Sequence, residues 1–106
     1  MHSRKKHKKS ILQKEKYCYL CDKLGNRYMV RGLQEHHIFG GPNRPISEAE
    51  GLKCWLCLAH HTQGSEAVHH NGTNMRILQR DAQQAYERNH TREEFIRLIG
   101  RNFLDT

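Results

Sequence analysis

The sequence predicts a small α+β domain that is held together by a structural metal ion and ends in two helices. Three observations lead to this prediction. The chain has 106 residues, of which 36% are hydrophobic, and domains with so modest a core often need disulfides or a metal ion. Two CxxC units supply cysteines for either purpose. After residue 72, short β-favouring runs give way to apolar residues at helical spacing.

In the first half of the chain we expect short elements separated by turn-forming residues. Residues 10–16 are predicted to start a short helix. Residues 27–39 contain β-favouring side chains around a glycine, which predicts a strand or hairpin. Residues 40–45 hold two glycines and two prolines and are predicted to form a loop. Residues 47–50 (SEAE) have the pattern of a capping box, which predicts one helical turn ending at Gly51.

The second half is predicted to contain one buried strand, a loop and two helices. Residues 52–58 (LKCWLCL) are the best candidate for a buried strand, and residues 62–72 have the composition of a loop. Residues 73–88 carry apolar side chains three and four positions apart, which predicts an amphipathic helix. Residues 91–100 begin with a second capping box (TREE) and end at a glycine, which predicts the last helix.

The positive charge of the chain is concentrated at its N-terminal end. The net charge is +7, and residues 1–16 hold seven of the 18 lysines and arginines against one acidic residue. We therefore divide the chain into a basic arm, residues 1–16, and a folded domain, residues 17–106. Such an arm commonly follows the phosphate backbone of a nucleic acid, and a solubilising, disordered end is the alternative.

No segment of the sequence has the pattern of a membrane or secretion signal. No apolar run is long enough to cross a bilayer, and no hydrophobic segment of a signal peptide follows the basic start. We therefore expect a cytoplasmic protein without a membrane partner, in which the four cysteines bind metal rather than form disulfides.

The CxxC units, Cys18 to Cys21 and Cys54 to Cys57, predict a structural zinc site, because a tight turn can present both sulfur atoms to one tetrahedral ion. The second pair of ligands can be either Cys54 and Cys57 or Cys57 and His60. Cys54 and Cys57 would point to opposite faces of the predicted strand. We therefore predict the closed, structural ligand set Cys18, Cys21, Cys57 and His60, with Cys54 as the alternative ligand.

Six of the nine histidines form three doublets, at residues 36–37, 60–61 and 69–70. Histidine clusters are typical of metal sites and of proton-transfer sites. A single doublet is more often a satisfied core or surface feature, but three doublets beside a zinc-type cysteine set favour a second site. With His60 assigned to zinc, His61 is available for it, whereas His70 is expected to be a solvated loop residue.

These motifs resemble those of a known nuclease family. The segments EHHI and LCLAHH, with a CxxC unit upstream, resemble the two ends of the HNH, or ββα-metal, nuclease motif. In that motif a DH or HH pair ends the first strand and an LCxxCH-like segment follows the second. Residues 10–103 also resemble a family of small phage and prophage HNH-like proteins, through HHIFGGPNR and a downstream VH. The resemblance implies a ββα-metal core with a zinc knuckle, in the host cytoplasm if phage-encoded.

The resemblance also implies an activity, that of a metal-dependent DNA endonuclease or nickase. His37 would be the general base of phosphodiester hydrolysis. One catalytic divalent ion, Mg²⁺, Mn²⁺, Ni²⁺ or Zn²⁺, would be held by His36, His61 and His69. DNA would be the partner, bound through its phosphate backbone, and Arg44 in the loop beside the site could clamp the scissile phosphate.

The sequence departs from the HNH motif at its central asparagine. The dipeptide expected before the second strand is Asn-Leu, and the chain has Gly51-Leu52. Asn43 or Asn71 could take over the orienting role. If neither does, the alternative is a zinc-binding adaptor on the HNH frame that binds nucleic acid or protein without hydrolysis. A phage protein that binds a host factor through its basic arm is a third hypothesis.

Overall fold

The computed structural model of the chain describes residues 7–25 and 29–104, and its centre is a two-stranded antiparallel sheet. Strand β1 spans Gln34–His37 and strand β2 spans Lys53–Leu56. The register pairs His36 with Cys54 and His37 with Lys53. The sheet therefore places His36 of the first histidine doublet directly opposite Cys54 of the second CxxC unit.

Five α-helices and one 3₁₀ helix accompany the two strands within the described residues. The α-helices are α1 (Tyr19–Lys23), α2 (Arg44–Glu50), α3 (Leu58–His61), α4 (Gly72–Tyr86) and α5 (Arg92–Ile99), and the 3₁₀ helix is Gly41–Asn43. Two antiparallel strands with several helices make a small α+β domain, as predicted. No described helix is long and apolar enough to cross a membrane.

The core joins the sheet to the two C-terminal helices. Phe39, just after β1, packs with its ring centroid 5.7 Å from that of Phe95 in α5 and 5.2 Å from that of Phe103. Helix α1 is bonded to α4, because the Tyr19 hydroxyl donates a 2.6 Å hydrogen bond to Asp81. The chain just after β1 is thereby packed against α5, and α1 is bonded to α4.

The N-terminal segment lies along α2 and β2. The amide of Ile11 donates to the Gly51 carbonyl at 3.0 Å, and the buried side chain of Gln13 accepts a 2.8 Å hydrogen bond from the Trp55 amide. Ser10 Oγ accepts hydrogen bonds from the Leu12 and Gln13 amides. The helix predicted at residues 10–16 is wrong, because this serine closes a turn instead. Residues 1–6 of the predicted basic arm lie outside the described residues.

Gly51 ends α2 in the left-handed conformation, with φ of 73°. A Cβ atom at this position would collide with the main-chain oxygen of Lys9, which crosses the turn. The site therefore requires glycine for its conformation and for the close approach. The same contact leaves no room for the side chain of an asparagine at this position.

Several predicted boundaries need correction. The strand or hairpin expected at 27–39 is reduced to Gln34–His37, with residues 26–28 outside the described residues. The expected loop at 40–45 contains a 3₁₀ helix and the start of α2, because proline is accepted in the first helical turn. Ser47 is not a helix N-cap, since its hydroxyl bonds the Phe39 main chain. The strand near 52–58 and both C-terminal helices are confirmed, including the capping box at Thr91 and Glu94.

Candidate metal centres

The first candidate centre joins the two CxxC segments. Cys18 and Cys21 lie at the start of α1, and Cys57 and His60 lie in the tight turn formed by α3. All four side chains are buried, and their ligand atoms lie within 4.8 Å of one another. All four cysteines of the chain are free thiols rather than disulfides. The predicted ligand set is therefore brought together in the fold.

The distances inside this group match those of a tetrahedral zinc site. His60 Nδ1 lies 3.5 Å from Cys18 Sγ, 3.5 Å from Cys21 Sγ and 3.4 Å from Cys57 Sγ. The Sγ atoms of Cys21 and Cys57 are 3.8 Å apart. A tetrahedral zinc ion with its usual Zn–S and Zn–N bonds separates two sulfurs by roughly 3.8 Å and sulfur from nitrogen by roughly 3.6 Å. The Cys₃His group is thus consistent with a zinc site.

Cys54 stands outside this group. Its side chain is fully buried on β2, opposite His36, and burial raises the pKa of its thiol well above the ordinary value. A buried, protonated thiol on a strand behaves as a small apolar core residue. The structure therefore brings His60, and not the alternative ligand Cys54, to the Cys₃His group.

The second candidate centre is a cluster of three histidines, one from each doublet. His36 on β1, His61 at the end of α3 and His69 in the following loop present ring nitrogens within 4.8 Å of one another. Their ring centroids are separated by 5.0 to 5.5 Å. The three rings line a cavity of about 280 Å³. Three separate segments of the chain thus bring one histidine each to the same place.

The most informative atom of this cluster is Nε2 of His36. Among the buried side-chain nitrogen and oxygen atoms of the described residues, it alone has no hydrogen-bond partner. Burial, assisted by the neighbouring histidines, lowers the pKa of His36 to about 3, so the ring is neutral at pH 7. A neutral imidazole with an unpaired, buried nitrogen has the properties of a metal ligand.

The ring of His61 is oriented so that it could bind the same ion as His36. Nδ1 of His61 is 2.7 Å from the side-chain oxygen of Gln34 on β1, which leaves its Nε2 available for an ion. Such outer contacts commonly orient metal-binding histidines. Burial also lowers the pKa of His61, with a contribution from His69. His70, by contrast, is exposed and bonds the Thr62 carbonyl, as expected for a loop residue.

His37 lines the same cavity but belongs to a different set of contacts. Its Nε2 lies 2.7 Å from Oε1 of Glu48 in α2. Glu48 also contacts Lys53 Nζ at 3.1 Å, and Lys53 Nζ lies 3.4 Å from Glu35. Adjacent strand residues face opposite ways, so His36 joins the histidine cluster while His37 turns toward α2.

Of the three polar residues expected to support the site, the arginine lines the cavity and the two asparagines bond the main chain. Arg44 lines the cavity, and within residues 7–25 and 29–104 no acidic side chain pairs with it. The Asn43 amide donates to the Ile99 carbonyl. Asn71 caps α4 and donates to the Ser65 carbonyl. Both asparagine side chains are therefore hydrogen-bonded to the main chain.

Two contacts of the site were not anticipated from the sequence. Glu48 was predicted only as part of a capping box, and Gln34 was assigned no role. The first contact spans 11 residues and the second 27, so each depends on how loops fold back across the sheet. No local spacing signals such pairs.

No family model, curated protein or solved structure matches this chain.

Proposed function

We propose that this protein is a metal-dependent DNA endonuclease or nickase of the HNH type. One observation carries the proposal. The buried, unpaired Nε2 of His36 faces two further histidines in a cavity that His37 and Arg44 also line. A divalent-ion site beside a histidine and a cation can supply the charge stabilisation and the general base that accelerate phosphodiester hydrolysis.

The donor set suggests which ion the cluster would hold. Three imidazoles suit Zn²⁺ or Ni²⁺ better than Mg²⁺ or Mn²⁺, which prefer oxygen ligands. Three protein ligands also leave positions open, as in catalytic zinc sites. When bound, the ion would supply positive charge to the scissile phosphate and to the leaving oxygen.

The chain's own residues would perform the remaining tasks. His37 would accept the proton of the attacking water, since a neutral imidazole is an effective base near pH 7. Arg44 would hold a non-bridging phosphate oxygen and position the phosphate in the cavity. The Cys₃His centre would keep α1 and α3 together and thereby fix the position of His61.

A basic groove next to the site supports DNA as the substrate. Lys8, Lys9, Lys14 and Lys16 line a groove of about 550 Å³, which shares Glu35 with the histidine cavity. A phosphate backbone lying in this groove would reach the site without any base contacts. Such contacts position a nucleic acid but do not read its sequence.

The adaptor remains the second candidate, favoured by one observation. Gly51 has no side chain, and the amides of Asn43 and Asn71 are engaged elsewhere, so none of these residues fills the role of the motif asparagine. An adaptor would bind DNA with the same salt dependence and would not cleave it.

The matched pair His69 and His70 tests the proposed ion site. Replacement of His69 by alanine removes one of three ligands, so we expect the zinc-loaded protein to lose its second equivalent of Ni²⁺ or Zn²⁺. Plasmid cleavage should fall by at least about 100-fold, as losses in metal-site support commonly do. The measurements are metal titration and the rate of nicking.

His70→Ala serves as the control, because its ring is exposed and outside the cluster. This variant should bind two equivalents of metal ion and cleave plasmid DNA at the wild-type rate. Equal behaviour of the two variants, with the second ion retained in both, would rule out the three-histidine site.

A further inference from the structure

We infer that Glu48 is the positioning residue of His37 and fixes its imidazole in the tautomer that leaves Nδ1 free to accept a proton. The inference rests on the proposed function for its catalytic meaning. Glu48 would then take the orienting role of the asparagine in the HNH motif. Gly51, at the corresponding position, has no side chain for that role.

The contact between the two side chains is short and directional. His37 Nε2 and Glu48 Oε1 are 2.7 Å apart, and both side chains are mostly shielded from solvent. Hydrogen bonds from His37, His7 and Lys53 lower the pKa of Glu48 to about 2, so the carboxylate is ionised and can only accept. The proton between the two groups must therefore belong to Nε2 of His37.

Helix α2 holds the carboxylate in place. The neighbouring Ser47 is fully buried, and its hydroxyl both accepts from the Phe39 amide at 3.1 Å and donates to the Phe39 carbonyl at 2.8 Å. These bonds fix α2 to the chain just after β1. The ammonium of Lys53, buried on β2, donates to Oε1 of Glu48 at 3.1 Å, the same oxygen that His37 contacts. The Ser47 bonds thus fix the helix that carries Glu48, and Lys53 holds its carboxylate.

The same atoms could be considered as a further metal site, since Glu35, His37 and Glu48 place ligand atoms within 4.8 Å of one another. The ammonium of Lys53 lies 3.1 Å from Glu48 and 3.4 Å from Glu35. It already supplies the positive charge that both carboxylates need, and it would repel a divalent ion. The group is therefore better suited to orient His37 than to bind metal.

Imidazole ¹⁵N NMR of the full, zinc-loaded chain at about pH 8 tests the inference without requiring cleavage, because neutral histidine tautomers give distinct signals. We expect His37 to be protonated at Nε2 in the wild type. In Glu48→Ala the ring should become a mixture of tautomers. Glu48→Gln retains an acceptor oxygen and should keep more of the wild-type tautomer than Glu48→Ala.

Kinetics give the second readout. We expect kcat to fall about 10- to 100-fold in Glu48→Ala, with KM changed less than about twofold, and Glu48→Gln to restore part of kcat. Glu50→Ala, which removes a carboxylate from the same helix, should leave kcat unchanged.

A wild-type His37 protonated at Nδ1, or a tautomer unaffected by Glu48→Ala, would overturn the inference. If the tautomer depends on Glu48 but the wild type cleaves no DNA, the positioning role stands and the proposed function fails. If the wild type cleaves DNA and both Glu48 variants cleave it as fast as the wild type, the catalytic role of Glu48 is refuted.

Discussion

Removal of the ion from the Cys₃His centre is expected to unfold the domain. Structural zinc sites contribute about 10–16 kcal/mol of binding free energy, whereas small domains are stable by only about 5–15 kcal/mol. The centre joins α1 to α3 through four buried side chains. A strong chelator, or Cys57→Ala, should therefore abolish cooperative thermal unfolding and the near-ultraviolet circular dichroism signal.

Cys54→Ala is the matched control for this prediction. Cys54 is also buried, three residues earlier in the chain, but it is outside the Cys₃His group. Loss of its sulfur should cost about 1 kcal/mol, as for other small core truncations, with full zinc content retained. A folded, zinc-binding Cys57→Ala protein, or equal metal loss in both variants, would show that the centre is not the structural ligand set.

Replacement of His36 by leucine is expected to stabilise the fold and abolish cleavage. The buried Nε2 of His36 has no hydrogen-bond partner among the described residues, and such an atom costs about 1–3 kcal/mol. Leucine has a similar volume and no polar atom, so it removes this cost. The unfolding free energy should rise by about 1 kcal/mol, measured in urea with one equivalent of zinc and no other divalent ion.

Cleavage should fall below detection in the same variant, because the second ion loses its central ligand. His70→Leu changes an exposed side chain and should give neither effect. A stabilised His36→Leu protein that still cleaves DNA would place the active site elsewhere. A strongly destabilised variant would mean that His36 has a structural role that its contacts do not reveal.

Features that depend on neighbouring residues could be predicted from the sequence. The capping box of α5 pairs Thr91 with Glu94, three positions away, and both hydrogen bonds are present. The CxxC spacing at Cys18 and Cys21 likewise needs only one turn of chain. For Cys54, the alternation of side chains along a strand was enough to separate it from the ligand set.

Features that depend on tertiary contacts could not be predicted in this way. Ser47 has the pattern of an N-cap, but its hydroxyl bonds Phe39 across a loop. Where a helix was predicted, the Ser10 hydroxyl accepts from the Leu12 and Gln13 amides in a turn and donates to the distant Lys53 carbonyl. The pairing of Glu48 with His37 arises for the same reason. Each contact joins segments that only the tertiary fold brings together.

The most direct test of the proposed nuclease is a cleavage assay on supercoiled and single-stranded DNA, with Mg²⁺, Mn²⁺, Ni²⁺, Zn²⁺ or a chelator added. We expect the wild type to nick or cut the DNA with at least one ion and to be inactive with the chelator. His37→Ala should be slower by about 10²–10⁴-fold, the usual contribution of a general base, while remaining folded and zinc-loaded. Absence of cleavage with every ion, despite tight and salt-sensitive DNA binding, would contradict the proposed nuclease activity and favour the zinc-binding adaptor.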